Sequence, residues 1–357
     1  MRYRGHPMRS WTLVTGASGF VGSRLVRFLL ARGERVKALV RPSASLRQLE
    51  GLPTDRFQLA YGDILVGHTV YRALAGCAKM YHVASNFTWW DPHPQRVLAP
   101  AVEGTRAVLT AARQRGLERI VVTSSVAALG NTAKKEPFAE DHRFDLLQPE
   151  QYTQSKHDAL VVTREMMDAG LPIVVVMPSV IGGPGDWKPT PMGQLFVRYL
   201  NSRVPLPVFE GGLSLTDVDD VAEGHWLAME RGRPGETYLL GGENLLFAEL
   251  VQHLHEITRL TRPGPQLGAT TLALAGWLLQ THARLLGGTP PLTYRMAKQQ
   301  TGRYSWVTSE KAERELGYRW RPAHATLRRG VAWFARHGYV ERAQDARRLR
   351  LELGEVD

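Results

Sequence analysis

Tyr152 and Lys156 stand four residues apart in Tyr152-Thr-Gln-Ser-Lys156, inside a run whose pattern predicts a helix over 152–168. Side chains at that spacing stack on one helix face, so a phenol and an ammonium can serve the same atom. A phenol gives up its proton only near pH ~10, and a cation beside it stabilises the ionised form. The pair therefore reads as a proton donor and acceptor drawn toward working pH. Earlier in the chain, Val121-Val122-Thr123-Ser124-Ser125 closes a strand-like run with three hydroxyls.

A second chemistry is written near the start, where Gly16-Ala17-Ser18-Gly19-Phe20-Val21-Gly22 follows a predicted strand and enters an apolar-periodic helix. Small residues there let the backbone turn tightly, approach a pyrophosphate and offer it helix N-terminal amides. The second predicted strand ends Ala38-Leu39-Val40-Arg41-Pro42-Ser43. No acid stands where one would accept bonds from an adenosine ribose, whereas Arg41 can meet a 2′-phosphate, with Ser43 and Ser45 nearby. The cofactor reading is thus NADP(H) rather than NAD, the alternative for Arg41 being an arginine that merely faces solvent. His82 sits inside an apolar strand run and reads as a packed strand-end histidine rather than a catalytic one. No Cys/His/acid cluster has metal-ligand spacing, so no metal is expected.

These residues need a scaffold that brings them together. The first half alternates predicted strands, over 12–15, 35–40, 57–61, 80–84, 119–123 and 173–177, with helices over 21–31, 97–115 and 152–168. That alternation predicts an α/β fold, a doubly wound parallel sheet of the Rossmann type. After Pro178 the Gly- and Pro-rich 181–193 opens a smaller mixed C-terminal lobe with short helices and few strands. The expected division is a nucleotide-binding domain over 9–180, to which 217–232 returns, a substrate lobe mainly over 181–340, and a tail over 341–357.

The TGxxGxxG spacing of Thr15 to Gly22 resembles the short-chain dehydrogenase/reductase superfamily, and Ser125, Tyr152 and Lys156 match the Ser/Thr, Tyr, Lys pattern of its extended members. Further motifs carry the likeness from about Met8 to Gly338: Tyr81-His82-Val83-Ala84, Val102-Glu103-Gly104-Thr105, Met177-Pro178-Ser179-Val180, Asp217-Val218-Asp219-Asp220-Val221-Ala222 and Lys311 to Tyr318. The set is similar to the dihydroflavonol reductase and 3β-hydroxysteroid dehydrogenase branch, and most to hopanoid-associated sugar epimerases. The resemblance implies that Tyr152 exchanges a proton with the substrate oxygen, Lys156 holds the nicotinamide ribose, and Ser125 orients the carbonyl. It places Asp63 and Ile64 at the adenine, Ala84 on the cofactor, and Pro178 and Val180 against the nicotinamide. Asp63 reads equally as a helix cap.

For substrate, the segments 86–91 and 185–188 contribute Phe87, Trp89, Trp90, Trp187 and Lys188, with Phe209 beyond them. Such a concentration of rings suits a bulky apolar or ring-containing ligand, although lobe packing would use the same residues. The leading function is NADP(H)-dependent interconversion of a carbonyl and a secondary alcohol. A nucleotide-sugar epimerase with retained NAD is the second reading, and a non-catalytic NADP(H) sensor the third. A sugar 4,6-dehydratase fits less well, because Val126-Ala127 replaces the acidic pair that the resemblance would require.

The 357 residues carry a formal net charge of +11 and a sequence pI near 9.9. The basic residues are scattered and accompanied by no nucleic-acid motif, so the expected partner is a small molecule and not a nucleic acid. The single cysteine, Cys77, and the glycine-interrupted N-terminal stretch favour the cytoplasm without export. The apolar stretch 271–279 is too short to span a bilayer, which takes ~20 residues, but a helix lying on a membrane surface stays open. By resemblance the chain would be a homodimer, through the helices over 97–115 and 152–168.

Overall fold

A computed structural model describes residues 11–85, 90–144, 146, 148–288, 290 and 292–354. The chain begins as expected, with strand and helix alternating: β1 (Trp11–Thr15), α1 (Phe20–Ala31), β2 (Val36–Val40), β3 (Phe57–Tyr61), α2 (Gly67–Ala73), β4 (Cys77–His82), α3 (Gln95–Arg115), β5 (Arg119–Thr123), α4 (Gln151–Asp168) and β6 (Ile173–Pro178). The second half holds β7 (Val180–Gly182), α5 (Pro191–Asn201), β8 (Leu206–Phe209), β9 (Gly211–Asp217), α6 (Val218–Arg231), β10 (Thr237–Leu240), β11 (Glu243–Leu246) and α7 (Phe247–Thr258). It closes with β12 (Pro263–Leu267), α8 (Ala269–Leu286), α9 (Tyr294–Gln300), β13 (Arg303–Ser305), α10 (Glu310–Leu316), α11 (Ala323–Arg336) and α12 (Ala343–Leu353).

Seven strands form one parallel sheet in the order β3-β2-β1-β4-β5-β6-β10. Its central strands are apolar on both faces; Leu13, Val14, Val121, Val174 and Val176 are fully buried, because helices cover the sheet on each side. Strand order reverses between β1 and β4, and crevices at such a switch point, outside the carboxyl ends of the strands, are where open α/β sheets bind ligands. Both the glycine turn and His82 lie at that end.

Helix α6 packs against α1 on the large sheet, and β10 then supplies its seventh strand. The seventh strand goes beyond the six read from the sequence, since four residues between glycines leave little periodicity to see. The second half also holds more strand than its glycine-rich texture suggested. Strands β7, β11 and β13 flank β9, with β11 antiparallel and the others parallel to it, while β12 pairs β8. Each is only 3–7 residues long, so none builds a recognisable alternation. Residues 341–357 include α12, whose Ala346, Leu349 and Leu353 are buried in the core shared with α11 and α7.

An ion-pair cluster ties the two halves. Asp217, fully buried, caps α6 through Asp219 N (2.9 Å) and accepts from Arg329 of α11 (2.6 Å). Asp219 takes Arg24 of α1 (2.6 and 2.8 Å) and Arg329, while Asp220 takes Arg321 (2.7 Å). Helix α1 is thereby held to α6 and α11.

Candidate active site

The glycine turn is built by contacts that leave no room for side chains. Gly16 has φ +67°, and a Cβ there would come 2.6 Å from the Ala84 Cα; one on Gly22 would lie 2.1 Å from the Gly16 carbonyl oxygen. The chain can therefore pass from β1 into α1 while touching the end of β4 only with glycine at these positions. Gly19 is the N-cap of α1, with Ser18 before it and Phe20 and Val21 opening the helix. Gln48, its amide oriented to satisfy both ends, donates to the Ser18 and Gly19 carbonyls (2.9 and 3.0 Å). That bond joins the loop after β2 to the turn, and no local motif announces it. Arg41 opens the same loop, exposed and ion-paired with none of the described residues.

Asp63 Oδ1 accepts from Leu65 N (2.9 Å), a turn-capping bond, while Thr69 Oγ1 bridges the Asp63 backbone. Ile64 rests on Gly104 of α3, where a Cβ would come within 2.8 Å of it. At the other side of the switch point, Thr15 Oγ1 accepts from the N–H groups of Val83 and Ala84 (3.2 Å each). Having two donors already, it gives its own proton to His82 Nδ1 (2.8 Å), which leaves the Nε2 hydrogen for Thr105 (3.4 Å). Burial, with the Lys156 charge adding to it, lowers the His82 pKa to about 4, so the ring is neutral. This is the packed strand-end histidine the sequence suggested, and Thr15 and Thr105 are the partners the sequence did not reveal.

Tyr152 and Lys156, one turn apart on α4, are 5% and 7% exposed. The Tyr152 hydroxyl is hydrogen-bonded to the Ser125 side chain, and Lys156 Nζ lies 5.8 Å from the Tyr152 ring centre. Burial raises the Tyr152 pKa above its ordinary value and the Ser125 bond opposes that rise, so the protein side chains alone do not produce the lowering expected from the Tyr–Lys spacing. Burial also lowers Lys156 to about 8, which leaves the amine protonated at neutral pH. Ser124, Lys156, His82, Thr105 and Ala84 line one cavity.

The start of α4 is clamped by residues with no sequence signature. Gln151 exchanges bonds with the Asp91 backbone, accepting from its N–H (2.8 Å) and donating to its carbonyl (2.9 Å). Glu150, the N-cap residue, accepts from Thr293 Oγ1 (2.7 Å), and its N–H donates to Gln299 Oε1 (3.0 Å). Trp90 beside Asp91 is buried, whereas Phe87 and Trp89 lie outside the described residues. Trp187 packs edge-on against Trp333 and His337 with Arg47 over its ring at 3.7 Å, and Lys188 is exposed. Phe209 packs at a tilt against Phe247 in the lobe, ring centres 4.2 Å apart.

The cleft has the donor set for a dinucleotide. Glycine positions that a Cβ would fill border the α1 N-terminus, and the buried Ser124 and Ser179 hydroxyls have no bonding partner among the described residues. Pro178 is the buried last residue of β6, and Val180, two residues on, pairs with Leu215 of β9. No group of three or more metal-ligating side chains comes together among the described residues.

Residues 12–241 match the NAD dependent epimerase/dehydratase family. A Synechocystis sp. protein named dihydroflavonol 4-reductase is 35% identical over 92% of this chain and 95% of its own. Sterol demethylase protein B of Methylococcus capsulatus is 32% identical over 92% of this chain and 99% of its own. The crystal structure of gox2253 superposes with a TM-score of 0.80 at 36% identity, covering 93% of this chain and all of that one.

Proposed function

From the premise that the chain belongs to the NAD dependent epimerase/dehydratase family, as an extended short-chain NAD(P)-dependent reductase or dehydrogenase, we propose a specific reaction. It interconverts a carbonyl and a secondary alcohol, with NADP(H), on a bulky apolar or ring-containing substrate. The observation that carries this reading is the Tyr152 hydroxyl bonded to Ser125, on the helix that also brings Lys156 to the cavity beside Ser124.

Gly16, Ser18, Gly19, Phe20, Val21 and Gly22 would cradle the pyrophosphate, Arg41 the 2′-phosphate, and Asp63 and Ile64 the adenine end. Ala84, Pro178 and Val180 would border the rest of the dinucleotide, with Lys156 on its ribose. When bound, NADPH supplies the hydride. Ser125 holds the substrate oxygen in line with Tyr152, whose hydroxyl delivers the proton to that oxygen and recovers it in the reverse direction. Because the phenol is buried, its ionisation needs a positive charge close by, and Lys156, protonated at neutral pH, is the side chain placed to supply it. Relatives named for a dihydroflavonol and a sterol support the ring-containing class. The proposal includes a nucleotide-binding domain over 9–180 joined by 217–232, a lobe mainly over 181–340, a cytoplasmic setting, and a homodimer through α3 and α4.

Turnover of NADPH and NADH against a panel of aliphatic, aryl and polycyclic ketones tests the reading. Release of oxidised nucleotide during turnover is the expected result. Tight retention of NAD with conversion of nucleotide sugars would establish the epimerase alternative instead, and binding without any turnover would establish a sensor.

A further inference from the structure

Helix α8 carries two apolar stripes, and only one is covered. At about 100° per residue, Leu272, Gly276 and Ala283 fall on one side, and all three are buried. A Cβ on Gly276 would come 2.5 Å from the Thr293 carbonyl oxygen, which shows how closely that side meets the start of α9. Leu274, Leu278 and Leu285 fall on the opposite side, with Trp277 at its edge, and are 59%, 54%, 78% and 54% exposed. The helix thus turns Leu272 and three small residues, Ala273, Gly276 and Ala283, inward and leaves most of its large apolar side chains exposed, Leu279 and Leu286 included at 38% and 76%, which a surface helix facing water alone does not need.

The surrounding charge points to what lies on that face. Residues 257–309 contain six Lys or Arg and neither Asp nor Glu, so this segment supplies +6 of the chain's formal +11. Arg284 stands on α8 between Leu278 and Leu285, and Arg295 and Lys298 stand on α9; all three are exposed and none forms a direct ion pair with a described residue, although the Arg295 charge also acts on the buried Glu150 carboxylate. An apolar helix face containing a tryptophan, with Arg284, Arg295 and Lys298 at one end and the acids Glu210 and Glu150 contributed only from other segments, has the chemistry of a helix that lies in a bilayer interface among anionic headgroups. No helix among the described residues is long and apolar enough to cross the membrane, so the contact is with its surface.

We propose that α8 and α9 dock the protein on an anionic lipid bilayer, with Leu274, Trp277, Leu278 and Leu285 entering the interface and Arg284, Arg295 and Lys298 meeting the headgroups. The docking unit is bolted to the catalytic helix through Thr293 and Gln299 of this region and Glu150 at the start of α4. On the substrate reading above, this seats the end of α4 that carries Tyr152 beside the layer in which an apolar ketone would dissolve. The docking itself holds whether or not that substrate reading does.

Co-sedimentation of the full chain with vesicles tests the proposal. The protein should pellet with phosphatidylglycerol vesicles, stay in the supernatant with pure phosphatidylcholine, and be released as salt rises. A basic protein could meet the first condition through charge alone, so the decisive variant is Trp277→Ala/Leu278→Ser/Leu285→Ser, which keeps every charge. It should lose at least about tenfold in vesicle affinity while its thermal unfolding and nucleotide binding stay as in the parent chain. Arg284→Gln/Arg295→Gln/Lys298→Gln should lose a similar amount and most of the salt dependence. A parent chain that stays in solution with phosphatidylglycerol, or an apolar-face variant that pellets as well as the parent, overturns the proposal. So does a parent dimer that the apolar-face variant turns into monomers with vesicle affinity unchanged, because the face would then be covered by a second copy.

Discussion

Tyr152 and Lys156 are almost completely buried, whereas Arg41, at the other end of the proposed nucleotide cleft, is exposed and ion-paired with none of the described residues. Around the first pair the fold spends several elements on position. Ser125 holds the phenol, Glu150 and Gln151 clamp the start of the helix, and Thr15 and Thr105 fix His82 across the cavity from Lys156. Around Arg41 it spends one loop, joined to the glycine turn by Gln48 and to α1 by Arg27, which donates to the carbonyls of Gln48 and Glu50. Proton transfer depends on distances held to fractions of an ångström and on charges weakly screened by water, and both follow from burial. Choosing between two nucleotides that differ by one phosphate needs a single charged contact, which an exposed side chain can provide.

The sharpest way to break this contrast is at the buried end. Tyr152→Phe keeps the ring and deletes the hydroxyl, so turnover should fall by ~10²–10⁴ while nucleotide affinity and unfolding temperature stay near those of the parent. Near-parental turnover in that variant would remove Tyr152 from the chemistry.

Lys156 sharpens the comparison through pH. Its folded pKa of about 8 lies below the ordinary 10.5, so the ammonium is lost as pH rises through about 8. Turnover that needs this charge should therefore decline above pH about 8. Lys156→Met should lower turnover by about tenfold or more, weaken nucleotide binding, and abolish that alkaline limb. A pH–rate profile of the same shape in both proteins would sink the assignment.

At the exposed end the effect is smaller and changes preference rather than rate. NADP(H) should bind more tightly than NAD(H) by about 1.5–3 kcal/mol, roughly tenfold to hundredfold, if one charged hydrogen-bonding contact carries the difference. Arg41→Asp should reverse the order, since a carboxylate repels the phosphate and accepts from a free ribose. Titration of both nucleotides into both proteins decides it, and a parental preference for NAD(H) would favour the epimerase alternative.

The smallest effect concerns the clamp. Thr293→Val removes the hydroxyl that donates to the buried Glu150 carboxylate, whose pKa burial already raises. With the Met296 N–H and the Arg295 charge still serving the carboxylate, losing that one bond should cost about 1 kcal/mol of stability. Denaturant unfolding measures this, and an unchanged midpoint would show that the clamp does not hold the helix.

Much of the cleft was legible because its signals are local. A strand, a glycine turn and a helix occupy 20 consecutive positions, and a phenol and amine one turn apart stay one turn apart in any helix. The six leading strands were visible for a related reason: each is a mainly apolar run of five or six residues, and three of the five gaps between them hold a helix pattern. Non-local decisions left no such trace. Thr237–Leu240 became the seventh strand only because α6 returns the chain to β6, and Glu150 found Thr293 across 143 positions. Trp187, chemically suited to a ligand, has its ring between Arg47, Trp333 and His337 in the folded lobe. The sequence by itself determined which groups could do chemistry, because residue type and short spacing fix that. Only the tertiary structure decided which of them lost their water and which stayed exposed, because burial is set by contacts between residues far apart in the chain.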